Sequence, residues 1–196
     1  MLINEDLLMS SGAKIANYAK NQFVFQENTE ALAYFQILTG RVKIVSQKKP
    51  GREFIHHMFN QGDCLGELFL FLKHQYSVSA IAMEDCRIFI LQKSDFDLML
   101  KDNPAILRDL YESIAESLHY TYMMRGLALE NPAEKTINLL RYLKVSNDSS
   151  TNPDEVLLTR QEIASLTGLR VETVIRTIKQ LESEGLLVIT KGKIFY

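Results

Sequence analysis

Glu172 and Arg176 stand four residues apart in a stretch, Val171-Glu172-Thr173-Val174-Ile175-Arg176-Thr177-Ile178, whose apolar members recur at helical spacing. On a helix such a pair lies one turn apart on one face. A guanidinium placed there can chelate O6 and N7 of a guanine, and a carboxylate can accept from N4 of a cytosine. The pair therefore has the chemistry to read neighbouring base pairs in the major groove of a duplex, with Val171 and Ile175 bordering the same face. The competing reading is a solvated ion pair, common at this spacing on any helix.

The elements that must hold this face are legible just upstream. Thr159-Arg160-Gln161-Glu162 is a capping box, in which the threonine hydroxyl accepts from the third residue's N–H and the glutamate reaches back to the cap N–H. A short helix then ends at Thr167-Gly168, and a second runs over residues 171–183 with Val174, Ile178 and Leu181 inward and Glu172, Arg176 and Lys179 outward. Ala164 is small where a crossing helix must come close, so the spacing of Ala164, Gly168 and Val174 predicts a helix-turn-helix. Glu184-Gly185 closes the second helix, and two apolar runs around Lys191-Gly192-Lys193 predict a β-hairpin wing. Residues 159–196 hold six Lys or Arg against four Glu, a local +2 in a chain of net charge −2. In this geometry Thr159, Arg160, Gln161, Arg170, Lys179 and Lys191 are placed to meet phosphates, and they would position the helix that reads the bases.

Residues 23–25, 33–38, 42–45, 54–59, 78–83 and 87–91 are short runs rich in Val, Ile, Phe and Tyr. Turn signals at Thr39-Gly40, Lys49-Pro50-Gly51 and Gln61-Gly62-Asp63 separate them, which predicts about six strands in an antiparallel sandwich or barrel. After Lys93 the period changes, and Leu107, Leu110, Tyr111, Ile114, Leu118, Thr121 and Tyr122 describe one long helix, with Asn103-Pro104 as its expected cap and first position. Its apolar stripe exceeds what one β-module can cover, so a second copy packing through Leu107, Leu110, Ile114, Leu118 and Thr121 is the economical answer. Asn131-Pro132 repeats the cap signal ahead of a further helix, and residues 146–154 read as a polar loop. The resulting division is a sensor module over residues 1–100, a dimerisation helix over 101–130 and a DNA-binding module over 131–196.

Composition narrows the remaining choices. At 196 residues with 46% hydrophobic and 23% charged residues the chain fits two soluble globular modules. No apolar run approaches the roughly 20 residues of a membrane span, and the acidic start lacks the pattern of a secretion signal, so a cytoplasmic location is expected. Cys64 and Cys86 form neither a C-x-x-C pair nor a zinc or iron–sulfur spacing, and adjacent His56 and His57 on a strand face opposite ways, so no metal or haem site is expected. No G-x-S-x-G, H-E-x-x-H, P-loop or dinucleotide fingerprint occurs, and no enzyme is expected.

Leu158-Thr159-Arg160-Gln161-Glu162-Ile163-Ala164 with Gly168-Leu169-Arg170-Val171-Glu172-Thr173-Val174-Ile175-Arg176 resembles the DNA-binding signature of the bacterial Crp/Fnr family, and Gly62-Asp63-Cys64-Leu65-Gly66-Glu67-Leu68 resembles its β-roll motif. The resemblance covers nearly the whole chain. It implies an α+β architecture: an N-terminal antiparallel, jelly-roll-like β-roll, a long dimerisation helix and a C-terminal winged helix-turn-helix. It further implies a homodimer on an inverted-repeat site in double-stranded DNA, with RNA polymerase as a partner. Val171 before the glutamate is similar to the Fnr-type reading helix and implies a T-G-A type half-site. The family usually has serine or threonine at Arg170, so a helix cap is missing.

The same resemblance implies an effector pocket at Gly66, Glu67, Ser77, Val78, Tyr120 and Thr121. Cyclic-nucleotide-binding members hold the phosphate with an Arg-Ser pair, where this chain has Ser77-Val78, so cyclic AMP is not the expected effector. Haem and an Fnr-type cluster are not expected either. The alternative class is a small-molecule sensor, for a cyclic nucleotide or haem, whose helix-turn-helix is vestigial.

Overall fold

The computed structural model describes residues 1–49, 52–146 and 155–196. The chain divides into two compact units, Met1–Leu118 and His119–Tyr196.

In the first unit a short helix α1 (Glu5–Ser10) precedes β1 (Lys14–Tyr18), β2 (Phe23–Phe25), β3 (Ala33–Thr39), β4 (Val42–Lys49), β5 (Arg52–Phe59) and β6 (Cys64–Leu65). Helix α2 (Glu67–Leu72), β7 (Ser79–Ala82), β8 (Cys86–Gln92), α3 (Lys93–Asp102) and the start of α4 (Ile106–Gly126) complete it. The strands form two antiparallel four-stranded sheets, ordered β1-β8-β3-β6 and β2-β7-β4-β5. All six expected strands are present, but β1 and β6 were not foreseen. The turn expected at Lys49-Pro50-Gly51 falls partly outside the described residues.

Alternation along β3 explains how the unit is layered. Phe35 and Ile37 enter a core with Phe25, Val42, Leu65, Tyr76 and Ile88, drawn from both sheets, while Tyr34 and Leu38 enter a second core with Leu8, Phe89, Phe96, Met99 and Leu110. One side of the β3 sheet is therefore capped by the other sheet and the opposite side by helices, which is why β3 is apolar on both faces. Gln36 is fully buried among these residues. Its side chain accepts from Ile3 N at 3.0 Å and from the Tyr34 hydroxyl at 2.7 Å, and donates to Ile3 O at 2.8 Å, so the N-terminal arm is fastened to the roll.

Asn103 and Pro104 behave differently from expectation. Asn103 ends α3, its side chain donating to Met99 O at 3.0 Å, and α4 begins only at Ile106, after a turn in which Ile106 N and Leu107 N bond three residues back. Asn103-Pro104 is therefore not the start of one uninterrupted helix, because a ten-residue helix, buried through Phe96, Met99 and Leu100, precedes it. Leu110 also departs from its expected place. It is 1% exposed in the helical core, whereas Leu107, Tyr111 and Leu118 are 45%, 74% and 49% exposed on the same helix. Leu110 thus belongs to the first unit's own core, and the outer stripe is Leu107, Tyr111, Ile114 and Leu118.

The second unit holds the end of α4, a 3-10 turn (Leu127–Leu129), α5 (Pro132–Ser146), β9 (Glu155–Val156), α6 (Arg160–Thr167), α7 (Val171–Ser183), β10 (Val188–Thr190) and β11 (Lys193–Phe195). The expected cap at Asn131 is present: its Oδ1 accepts from Ala133 N and Glu134 N, both at 3.0 Å, and Pro132 opens α5. Leu139 and Leu140 of α5, Ile163, Ala164 and Leu166 of α6, and Val174, Ile178 and Leu181 of α7 are all buried. Of the polar loop expected at 146–154, Ser146 lies in α5 and the rest lies outside the described residues.

Candidate nucleic-acid interface

Local chemistry sets α6 and α7 in place. Thr159 N donates to Glu162 Oε2 at 2.7 Å and Glu162 N donates to Thr159 Oγ1 at 3.1 Å, completing the predicted capping box. Gly168 ends α6 at φ +70°, a left-handed conformation that a Cβ would strain. Ala164, 3% exposed, lies on the buried side of α6, against which α7 packs. Arg170 stands at the N-cap of α7 in extended conformation with no side-chain bond to the helix, as its residue type implied.

Burial on α7 separates its two faces. Val174, Thr177, Ile178 and Leu181 are buried, while Glu172, Ile175, Arg176 and Lys179 are exposed and Val171 is half-buried. No ion pair joins Glu172 to Arg176 among the described residues, so both charges face solvent without a protein partner. Other charges nearby are engaged. Glu182 accepts from Ile189 N at 3.1 Å, Glu184 from Gln180 Nε2 at 2.9 Å, and Lys193 pairs with Glu155 at 2.6 Å. The Arg160 guanidinium donates to Gly192 O and ties α6 to the wing. That uses one of its five donors. Gln161, Arg170, Lys179 and Lys191 are exposed, as is the capping Thr159.

The wing is a hairpin of β10 and β11 whose turn residues Lys191 and Gly192 both have positive φ, the turn type that matches strand twist. A third strand, β9, pairs with β11 through Val156 and Ile194. Sequence reading missed it because two residues have no period to detect.

The residues of the implied effector pocket are distributed as follows. Gly66, at φ +69°, opens α2, and a Cβ there would meet Tyr76 Cε1 at 3.0 Å and Phe25 Cε1 at 3.1 Å. Tyr76 stacks on Phe25 with centroids 3.9 Å apart and meets Phe69 edge-on at 5.2 Å, so aromatic rings fill the roll interior next to this glycine. Glu67 is buried, and burial raises its carboxyl pKa, opposed by a bond to its own backbone N–H and one to Cys64. The Tyr76 hydroxyl is buried without a hydrogen-bond partner, and burial followed by the charge of Glu67 raises its pKa to about 12. Ser77 is exposed and Val78 half-buried. Tyr120 and Thr121 belong to the second unit, where the Tyr120 ring packs on Tyr142 at 5.2 Å and Thr121 is exposed. Phe69 and Tyr76 follow the Gly-Glu motif closely in sequence, whereas Phe25 comes from β2, about forty residues earlier.

Residues 15–103 match the cyclic nucleotide-binding domain family and residues 134–195 match the Crp-like helix-turn-helix domain family. The chain belongs to the Crp/Fnr family. Within it, the chain is 30% identical over 181 residues to the cAMP-activated global transcriptional regulator CRP of Salmonella typhimurium, covering 90% of this chain and 86% of the relative. It is 33% identical over 166 residues to the cAMP-activated regulator Vfr of Pseudomonas aeruginosa, covering 81% and 77%. The c-di-GMP responsive regulator CLP of Xanthomonas campestris shares the fold, with a TM-score of 0.83 over 96% of this chain and 95% of that one at 21% identity. This Crp/Fnr member is thus a DNA-binding transcription regulator and not an enzyme, its N-terminal module being of the cyclic nucleotide-binding type. No helix among the described residues is long and apolar enough to cross a membrane.

Proposed function

We propose that the protein acts as a homodimer on an inverted-repeat duplex site, each copy laying α7 in the major groove. The carrying observation is the exposed, mutually unpaired Glu172 and Arg176 on a helix whose other face is buried. Val171, Glu172, Ile175 and Arg176 face the bases, while Thr159, Arg160, Gln161, Arg170, Lys179 and Lys191 meet phosphates, Arg160 through the donors left over from its bond to the wing. Pairing is assigned to the outer stripe of α4, whose exposed Leu107, Tyr111 and Leu118 repeat three or four residues apart and suit a second copy of the same helix. Contact with RNA polymerase and a cytoplasmic location belong to the same reading.

The same proposal leaves cyclic AMP out as the effector. Ser77 and Val78 supply no cation where cyclic-nucleotide-binding members carry an Arg-Ser pair. A buried phosphate left without a charge-assisted partner forfeits roughly 1.5 to 3 kcal/mol. Selection of bound sites from random duplex DNA, with and without cyclic AMP, tests both parts. The expected outcome is one inverted-repeat sequence enriched equally in both conditions. Enrichment that depends on the nucleotide would refute the effector assignment, and no enrichment in either condition would favour a sensor with vestigial DNA binding.

A further inference from the structure

On the exposed face of α7 one side chain is out of character. Ile175 is 43% exposed beside Glu172, although every other large aliphatic residue of the helix beyond its first position is buried. Viewed down a helix of 3.6 residues per turn, Ile175 lies about 60° to one side of Glu172 and Arg176 about 40° to the other. A polar residue would suit solvent better at this place. Among the groups that base pairs present in the major groove, the apolar one is the C5-methyl of thymine.

We infer that Ile175 is a specificity-determining residue that packs on the C5-methyl of a thymine in each half-site, next to the base pairs read by Glu172 and Arg176. The assignment rests on α7 being the reading helix. Isoleucine is suited to the task because its branched Cβ leaves one strongly preferred rotamer in a helix, so little side-chain freedom is lost on contact. The contact excludes water from two small apolar groups without a hydrogen bond, so it discriminates thymine from cytosine and from uracil by the methyl alone.

Deoxyuridine removes that methyl and leaves Watson–Crick pairing unchanged. Each thymine of the duplex selected from random DNA is replaced singly by dU, symmetrically in both half-sites, and affinities of the full-length wild type and Ile175→Ala are measured at fixed salt. One thymine position is expected at which dU weakens the wild type about fourfold per half-site, the effect of removing one buried methyl. At that position Ile175→Ala is expected to bind T and dU duplexes alike. Wild-type affinity insensitive to dU everywhere, or equal sensitivity in the two proteins, overturns the Ile175 assignment while leaving α7 as the reading helix. Failure of the wild type to prefer the selected duplex over a scrambled one overturns the reading of α7 itself, and this assignment with it. The dU series on the wild type stands whether or not the variant folds, and alanine has the higher helix propensity at an exposed site.

Discussion

His56 and His57 follow the alternation of a strand. His56 is exposed and pairs its Nε2 with Ser46 Oγ at 2.8 Å, whereas His57 is tucked inward and stacks on Phe59 at 4.2 Å. Burial lowers the pKa of His57 from 6.5 to about 4, because desolvation disfavours its charged form. Above pH 6.5 the folded and unfolded chains both carry the neutral ring and stability is unaffected. As the pH falls from about 6.5 to about 4, the unfolded chain takes up a proton that the folded chain refuses, so stability declines across that window. The variant His57→Gln is expected to show a shallower decline between pH 7 and 5 in urea unfolding. The other neighbouring histidine, His56, whose pKa burial also lowers, is common to both proteins. An unchanged pH dependence in the variant would exclude this role. At the same scale the reading face of α7 was legible because burial there follows the period of one helix. The packing of Tyr76 on Phe25 was not legible, since it joins residues about fifty positions apart in sequence, in β2 and just before β7.

Elements were legible where their signals are local. The capping box at Thr159, the Asn131 cap and the stop at Gly168 use residues within four positions of each other, and each formed as its sequence states. Elements of two to six residues, such as α1, β6 and β9, have too few positions for a period, and they exist because neighbouring elements bury or pair them. Helix α3 was lost for another reason: its stop and the turn before α4 share Asn103-Pro104, which reads equally as one start. The caps yield a paired prediction. Thr159→Ala removes a formed cap and should cost about 1 kcal/mol of stability, whereas Arg170→Ser supplies an absent one and should raise stability by about 0.5 to 1 kcal/mol. Urea unfolding of the two variants checks both signs. Equal effects would mean that these helix ends are held by tertiary packing alone.

For the molecule as a whole, the order of parts was readable but the sheet pairing was not. Strand order β1-β8-β3-β6 joins residues more than seventy positions apart, and nothing in the local pattern encodes that partnership. Charge behaves similarly: the chain is net −2, and the cations that matter are set apart by which acids are already engaged in caps and wing contacts. The central claim, that α7 reads base edges, is tested most directly by the affinity of Arg176→Ala for the selected duplex and for a scrambled one at fixed salt. A loss of about 1 to 3 kcal/mol per half-site on the selected duplex, with preference relaxed at one base pair and little change on the scrambled duplex, is the predicted result. An equal loss on both duplexes would make Arg176 a phosphate contact and contradict the account.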